Sequence, residues 1–366
     1  MQLFAAHFAI LPDPRAENAR HIFAEMMFIA IAATLCGAKT CVEIAEFGQA
    51  KEALLRTILT LPHGVPSHDT FSTLFRKLNP QAFAEVFARF AAAWAKAMAK
   101  AMGGPEIVAI DGKAIKRAFD KGKRSSPRMM VSAWGAKARM TLAARTAKGG
   151  NEAKAAIELL GLIDIKGTIV TADALHCNRK MARAIIERGA DYVLPVKGNQ
   201  DSLLSDARAC LGKAEDAISV TTKEKAHGRI ETRSAIVVEA PGLAEHHEFA
   251  GLKAFGRIES TREIDGRRET EVRIFALSRV LPTEEFVGIA RGHWGIENRL
   301  HWMLDVHLDE DMSRTRRDHG AENLGLLRRL VLNLARGDKS KGSLAGKLRR
   351  AAWNEGYMFK LLAQMR

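Results

Sequence analysis

The sequence predicts an α/β fold made of a helical N-terminal domain, a mixed sheet, and a β-rich insertion that precedes a helical C-terminal part. Three observations carry this expectation. Apolar residues recur at helical spacing through the first hundred positions and halt at Gly103-Gly104-Pro105. Past that break, three strand-like runs give way to alternating helix and strand patterns. From about Asn199 to Ser278 the pattern turns to polar alternation, the mark of half-exposed strands.

The first elements follow from apolar spacing. "MMFIAIAATLCGA", from Met26 to Ala38, lies between Glu25 and Lys39. It is too short for a bilayer, which needs about 20 apolar residues, and reads as a core helix. The helical pattern runs through "CVEIAEFG" to Gly48. "SHDTFSTLFRKLNPQAFAEVFARFAAAWAKAMAKAM" offers Ser67 or Asp69 as a cap and Pro80 as punctuation.

Beyond the break, "EIVAI" is a strand, and "RMMVSAWGAKARMTLAARTA" is two more joined at Gly135 to Ala138. "NEAKAAIELLGLI" is a helix, "GTIVTADA" a buried strand, "NRKMARAIIERG" a helix and "DYVLPV" a strand. The insertion carries an Asp265-Gly266 hairpin signal. Helices resume at Thr283, read as the start of a capping box in "TEEF", and continue through "GIARGHWGIENRLHWMLDV".

Composition narrows the function. At 366 residues, 47% hydrophobic and 27% charged, the chain can bury a large core and hold two or three structural units. The N-terminal "MQLFAAHFAILPDPR" lacks a basic leader and carries Asp13-Pro14, so export is not expected and a cytoplasmic place is. Cys36, Cys41, Cys177 and Cys210 show no metal-ligand spacing and fit reduced thiols. A formal charge of +14 favours a polyanionic partner. From Ala95 to Gly150 thirteen Lys and Arg face three acids, and Asp111 lies among them. The tail beyond Gly337 is also basic.

Two carboxylates stand out against this positive field. In "VAIDGKAIK" and "GTIVTADALHCN", Asp111 and Asp173 each follow an apolar strand. Acids at neighbouring strand ends repel, and hard divalent cations such as Mg²⁺ or Mn²⁺ are the economical remedy. Each could instead cap a following turn. A third acid, Glu297, sits on the apolar stripe of "HWGIENRLHWMLDV" near Trp294, His301 and Asp305. Asp309, Glu310 and Asp311 compete with it, but they come after that helix and are expected to form a solvated loop or its hydrogen bonds.

The blocks "DGKAIK", "VSAW", "TADALHCNRKMARAI", "GADYVLPVKGNQ", "HGRIETR" and "HWGIENRLHWMLDVHLDED" together resemble the DDE transposases of bacterial insertion sequences, in the branch that includes the H-repeat-associated proteins. "DPR" and "GVPSHDTFSTLFRKLNP" resemble that branch's N-terminal associated domain. The resemblance implies an RNase H-like catalytic core split by a β-rich insertion. Its motif positions make Asp111, Asp173 and Glu297 the metal-holding acids of a two-metal phosphoryl transfer on DNA. The implied organisation is helical over 1–100, core over 105–200, insertion over 201–278, and core completion with a basic helical end over 279–366. DNA is the implied partner, with a dimer as the working form beside the nucleoid.

Two blocks depart from the family. "TAKGGNEAKAA" stands where a Lys-Ser-Asn-Glu block is expected, and Ala290 and His293 replace the tyrosine and arginine found before the glutamate in related transposases. Lys113, Lys116 and Lys197 are candidate phosphate contacts, and His227 and Arg229 candidate DNA contacts within the insertion; surface solvation is the plain alternative for each. Trp294 and Trp302 read as packing residues, with base stacking as the alternative, and His176 as a core histidine, with support of Asp173 as the alternative. Two other functions compete: a DNA-binding descendant without chemistry, and a stand-alone nuclease on the same fold. Retention of all three acids favours the transposase.

Overall fold

The computed structural model describes residues 8, 10–102, 106–119, 127–213, 220–226, 229–264 and 267–365, with backbone only at 94–102, 223–226, 229, 230 and 264. Five helices lead: α1 (Phe23–Leu35), α2 (Cys41–Ala50), α3 (Glu52–Leu55), α4 (His68–Lys77) and α5 (Pro80–Met102). α1 is buried from Glu25 to Leu35 on every side, as an apolar circumference demands. The predicted long helix is two. The chain breaks at Gly37, whose φ of 107° only glycine adopts freely. Thr40 then caps α2 by accepting the Glu43 N–H at 3.2 Å, and α2 runs past Gly48 to Ala50.

The other starts follow capping chemistry. Ser67 accepts the Thr70 N–H to open α4. Pro80 takes the first position of α5 behind Asn79, whose side chain accepts from Gln81.

Nine strands form one mixed sheet: β1 (Ile107–Ile115), β2 (Arg128–Gly135), β3 (Met140–Thr146), β4 (Ile169–Ala172), β5 (Asp191–Val196), β6 (Val220–Ala226), β7 (Arg229–Glu239), β8 (Ala254–Ile264) and β9 (Arg267–Leu277). Their order is β3-β2-β1-β4-β5-β9-β8-β7-β6. β1, β4 and β5 are mutually parallel, joined through α6 (Glu152–Leu160) and α7 (Arg179–Ile186), and the remaining pairs are antiparallel.

The β-rich segment prolongs this sheet instead of forming a layer of its own, because β9 pairs with β5 from Val193↔Leu277 to Val196↔Ile274. α8 (Asp201–Gly212) leads into it and α9 (Leu243–His246) links β7 to β8. Asp265 and Gly266 lie outside the described residues, while β8 and β9 pair antiparallel on either side of them.

The chain returns through α10 (Thr283–His293), one π-helical turn (Glu297–His301) and α11 (Trp302–Val306), then α12 (Gly320–Gly337), α13 (Leu344–Trp353) and α14 (Glu355–Leu362). The predicted capping box is absent: Pro282 occupies the cap position and Thr283 is already helical. One apolar cluster unites α1, α4 and α12 with one face of the sheet through Ala109, Ile115, Met130 and Trp134. The opposite face, with Val108, Ile110, Val131 and Ala133, packs beneath α6, α7 and α8. The basic tail is tied down too. Asp338, nearly inaccessible, accepts from Tyr357 Oη at 2.7 Å and Lys360 Nζ at 2.8 Å. All four cysteines are free thiols. Among the described residues, no helix is long and apolar enough to cross a membrane.

Candidate active site

β1 does not end at Asp111. It continues through Gly112 and Lys113 to Ile115, with Asp111 opposite Ser132 on β2. β4 is the strand that stops. Its last pair is Ile110↔Ala172, so Asp173 emerges next to Asp111 where the sheet loses a neighbour. Asp173 also performs the modest role of a cap, accepting the Leu175 N–H at 2.9 Å. Glu297 arrives from the far end of the chain as the first residue of the π turn, a helical irregularity often met at functional sites.

The electrostatics set Asp111 apart. Its Oδ1 accepts the Gly112 N–H at 2.8 Å, and its Oδ2 lies 3.5 Å from His301 Nδ1. Burial outweighs that hydrogen bond, and Asp173, Glu297 and Glu152 add repulsion, so the carboxyl is pushed up to about 7. The structure thus brings the three predicted acids into one field and adds a fourth. Glu152, at the start of α6, is raised by burial and then by Asp173.

Three histidines surround the acids in neutral form. Burial pushes His293 down to about 4 and His301 down to about 3, and it lowers His176 as well. The 3.5 Å approach of His301 to Asp111 is therefore not an ion pair. His293 Nδ1 sits 3.1 Å from the Thr171 hydroxyl. His176, 1% exposed, places Nε2 3.8 Å from Asp173, and neither of its ring nitrogens has a hydrogen-bond partner among the described residues.

A cavity of about 530 Å³ opens beside Asp173 and Glu297, with Lys197, Arg208, Arg273 and Trp294 in its other walls. The Arg273 guanidinium lies 4.8 Å from the Trp294 ring centroid. Acids on one side and cations on the other suit a phosphate approached by a divalent cation.

The predicted basic contacts scatter. Lys197 is exposed on the cavity wall. Lys113 is 7% exposed and commits its ammonium to Asp305 and Asp311, both at 2.7 Å, and to Glu310 at 3.5 Å. Without DNA, therefore, its ammonium is an internal counter-ion for three carboxylates, a role that the expectation of a phosphate contact did not include. Lys116, 73% exposed, pairs with Asp311 at 2.6 Å. It borders a concavity of about 290 Å³ shared with Arg117, Phe119, Arg314 and Arg316. Arg229 opens β7, and His227 lies outside the described residues.

The expectation of a solvated loop at 309–311 fails for Glu310. It is fully buried, 2.8 Å from Arg329 Nη1, and Arg329 in turn donates to Ser132 Oγ at 3.0 Å. Sequence reasoning missed Glu152 because an acid at a helix start reads as a complement to the helix dipole. The Asn-Glu pair that survives in "TAKGGNEAKAA" was the signal that could have found it.

Fold and site define a class: a mixed α/β protein with acids at the edge of its sheet and a cavity beside them that Lys197, Arg208 and Arg273 also line. Comparison with known proteins gives the family. A model described as "Transposase DDE domain" matches residues 102–334, and one described as "DDE_Tnp_1-associated" matches residues 5–91. The chain belongs to the DDE transposases of bacterial insertion sequences. It is 33% identical to the "Putative transposase YncI" of Escherichia coli O157:H7, covering 99% of this chain and 95% of that protein. It is 31% identical to the "H repeat-associated putative transposase YhhI" of Escherichia coli K12, covering 98% and 97%. "Putative protein YbfL" of the same strain is 32% identical over 98% of this chain and 97% of its own.

Proposed function

We propose that this transposase cleaves DNA strands at the ends of its insertion sequence and joins the freed 3′-hydroxyl to target DNA, with Asp111, Asp173 and Glu297 holding two divalent cations, Mg²⁺ or Mn²⁺. The observation that carries this reading is the placement of Asp111: a buried carboxyl level with Asp173 where β4 stops, pushed up to about 7 by burial and by the acids beside it. The β3-β2-β1-β4-β5 half of the sheet, with β2 alone reversed, supports an RNase H-like core.

Divalent cations at such a site polarise the attacking oxygen and stabilise the leaving one in an in-line phosphoryl transfer. The protein does the rest. β1 and β4 fix two acids at one level of the sheet, and the π turn brings Glu297 to them. Lys197 and Arg273 present positive charge to the scissile phosphate across the cavity. His293 and His301, held neutral, add no competing charge where the cations bind.

Lys116, Arg117, Arg314 and Arg316 form the proposed track for the DNA backbone. The helices of residues 1–100 are the proposed readers of the element ends. Because α1 is buried in the shared core, that role is tested in the full chain by substituting the exposed Lys77 and Arg89 rather than by deletion.

The deciding experiment follows a marked element bearing this gene's own flanks in cells, comparing wild type with Asp173→Asn. Excision and integration are expected for wild type and lost in the variant, with binding to the ends retained. Equal activity in both would overturn the assignment. End binding without activity in either would make the chain a DNA-binding descendant.

A further inference from the structure

We propose that Glu152 is a fourth carboxylate of this site and holds a divalent cation together with Asp111 and Asp173. The inference rests on the metal-holding role given to those two residues above. Its first support is steric. A Cβ built on Gly112 would lie 2.2 Å from Glu152 Oε2 and 3.1 Å from its Cδ. The Glu152 carboxylate therefore occupies the volume that any side chain at position 112 would take. Gly112 sits inside β1, and glycine weakens a strand interior, so its presence there calls for a reason. Close approach of Glu152 to the backbone beside Asp111 supplies it.

The second support is the company Glu152 keeps. Asn151 caps α6 by accepting the Lys154 N–H at 2.9 Å, which fixes Glu152 at the first helical position. The nearby cations are committed elsewhere: Arg145 and Lys154 lie 2.7 and 3.8 Å from Glu158. Among the described residues no Lys or Arg forms an ion pair with Glu152, whose neighbours in charge are Asp173 and Asp111.

The third support is His176. It is 1% exposed, unpartnered at both ring nitrogens and directed at Asp173, on the turn against which α6 packs. A buried imidazole left without a hydrogen-bond partner 3.8 Å from Asp173 marks a place prepared for a ligand. Hard cations take six or more oxygen ligands, so a fourth carboxylate strengthens their hold.

The test uses the full-length protein stripped of metal and free of DNA, with Mn²⁺ binding followed by titration calorimetry and melting followed in parallel. Glu152→Gln is expected to weaken Mn²⁺ binding about tenfold or more. It is also expected to raise the melting temperature of the metal-free protein, because one of four repelling acids is gone. Gly112→Ala keeps every charge but pushes the carboxylate aside, and is expected to weaken Mn²⁺ binding as well. Wild-type Mn²⁺ affinity in Glu152→Gln, with affinity lost in Asp173→Asn, would overturn the fourth carboxylate and leave the three-acid site standing. A metal-free Glu152→Gln that melts below wild type would mark the residue as structural and likewise overturn it. Unchanged binding in Asp173→Asn would remove the three-acid reading and this one together.

Discussion

Asp111 and Glu310 are both carboxylates withdrawn from water within one network, yet the protein treats them in opposite ways. Glu310 is fully buried but held below the ordinary carboxylate range, because Arg329 and Lys113 overcome its burial. Asp111 retains some exposure, faces three acids and is pushed up to about 7. Lys113 sharpens the contrast. It lies two residues along β1 from Asp111, on the same face of the strand, and still gives its charge to Asp305, Glu310 and Asp311. This fold supplies counter-ions to the acids it uses as struts, and it withholds one from the acid that the proposed chemistry needs for a cation.

The contrast breaks most severely at Arg329. Removing one partner of a buried pair leaves the other charge stranded, a loss of about 3–5 kcal/mol. Arg329→Met is expected to lower stability by that amount in denaturant unfolding, at any divalent-cation concentration. A loss under about 1 kcal/mol would mean that Glu310 is not the internally balanced acid described here.

Asp111 should behave in the reverse sense. A carboxyl that titrates near 7 in the folded state and near 3.8 in the unfolded chain keeps its proton on folding between those values. Raising the pH through that window therefore removes stability, at up to about 1.4 kcal/mol per pH unit. His293 and His301 push the other way, since burial keeps them neutral down to about 4 and about 3, so the wild-type profile is a compromise. The difference between Asp111→Asn and wild type isolates the acid. Without divalent ions the variant is expected to match wild type near pH 4 and to exceed it by roughly 2–4 kcal/mol at pH 8. Saturating Mn²⁺ should erase that advantage by stabilising wild type alone. A variant less stable than wild type at pH 8 without metal would make Asp111 a strut like Glu310.

The same physics explains how much was legible in the sequence. The order of strands and helices from β1 to β5 could be read, because apolar periodicity and breaks such as Gly103-Gly104-Pro105 are local signals. Asp111, Asp173 and Glu297 were legible as acids on apolar elements. The place of the first two on neighbouring strands was expected too, but the register that sets Asp173 level with Asp111 was not legible, since it depends on where β4 stops against β1. Lys113 read as a phosphate contact and Glu310 as a loop residue because their partners lie about two hundred and about twenty positions away in the chain. Glu152 escaped for a related reason: the glycine that admits it lies forty residues earlier.

Lys113 and Lys116 allow the finest test, because both reach Asp311 from one end of β1 and differ chiefly in exposure, 7% against 73%. An exposed ion pair is screened by water and salt, so Lys116→Ala is expected to leave the unfolding midpoint unchanged. Its contribution should appear only when DNA replaces Asp311 as its partner. Every phosphate that a cationic side chain neutralises adds about 0.9 to the steepness with which log K falls against log salt, and Lys116→Ala should take away about one such increment. Lys113→Met should keep the wild-type salt dependence while lowering stability, because its ammonium balances buried acids and never reaches the phosphate. If instead the Lys113 variant loses salt dependence at unchanged stability, the lysine leaves its three carboxylates on binding DNA, and the division between struts and working charges fails at that residue.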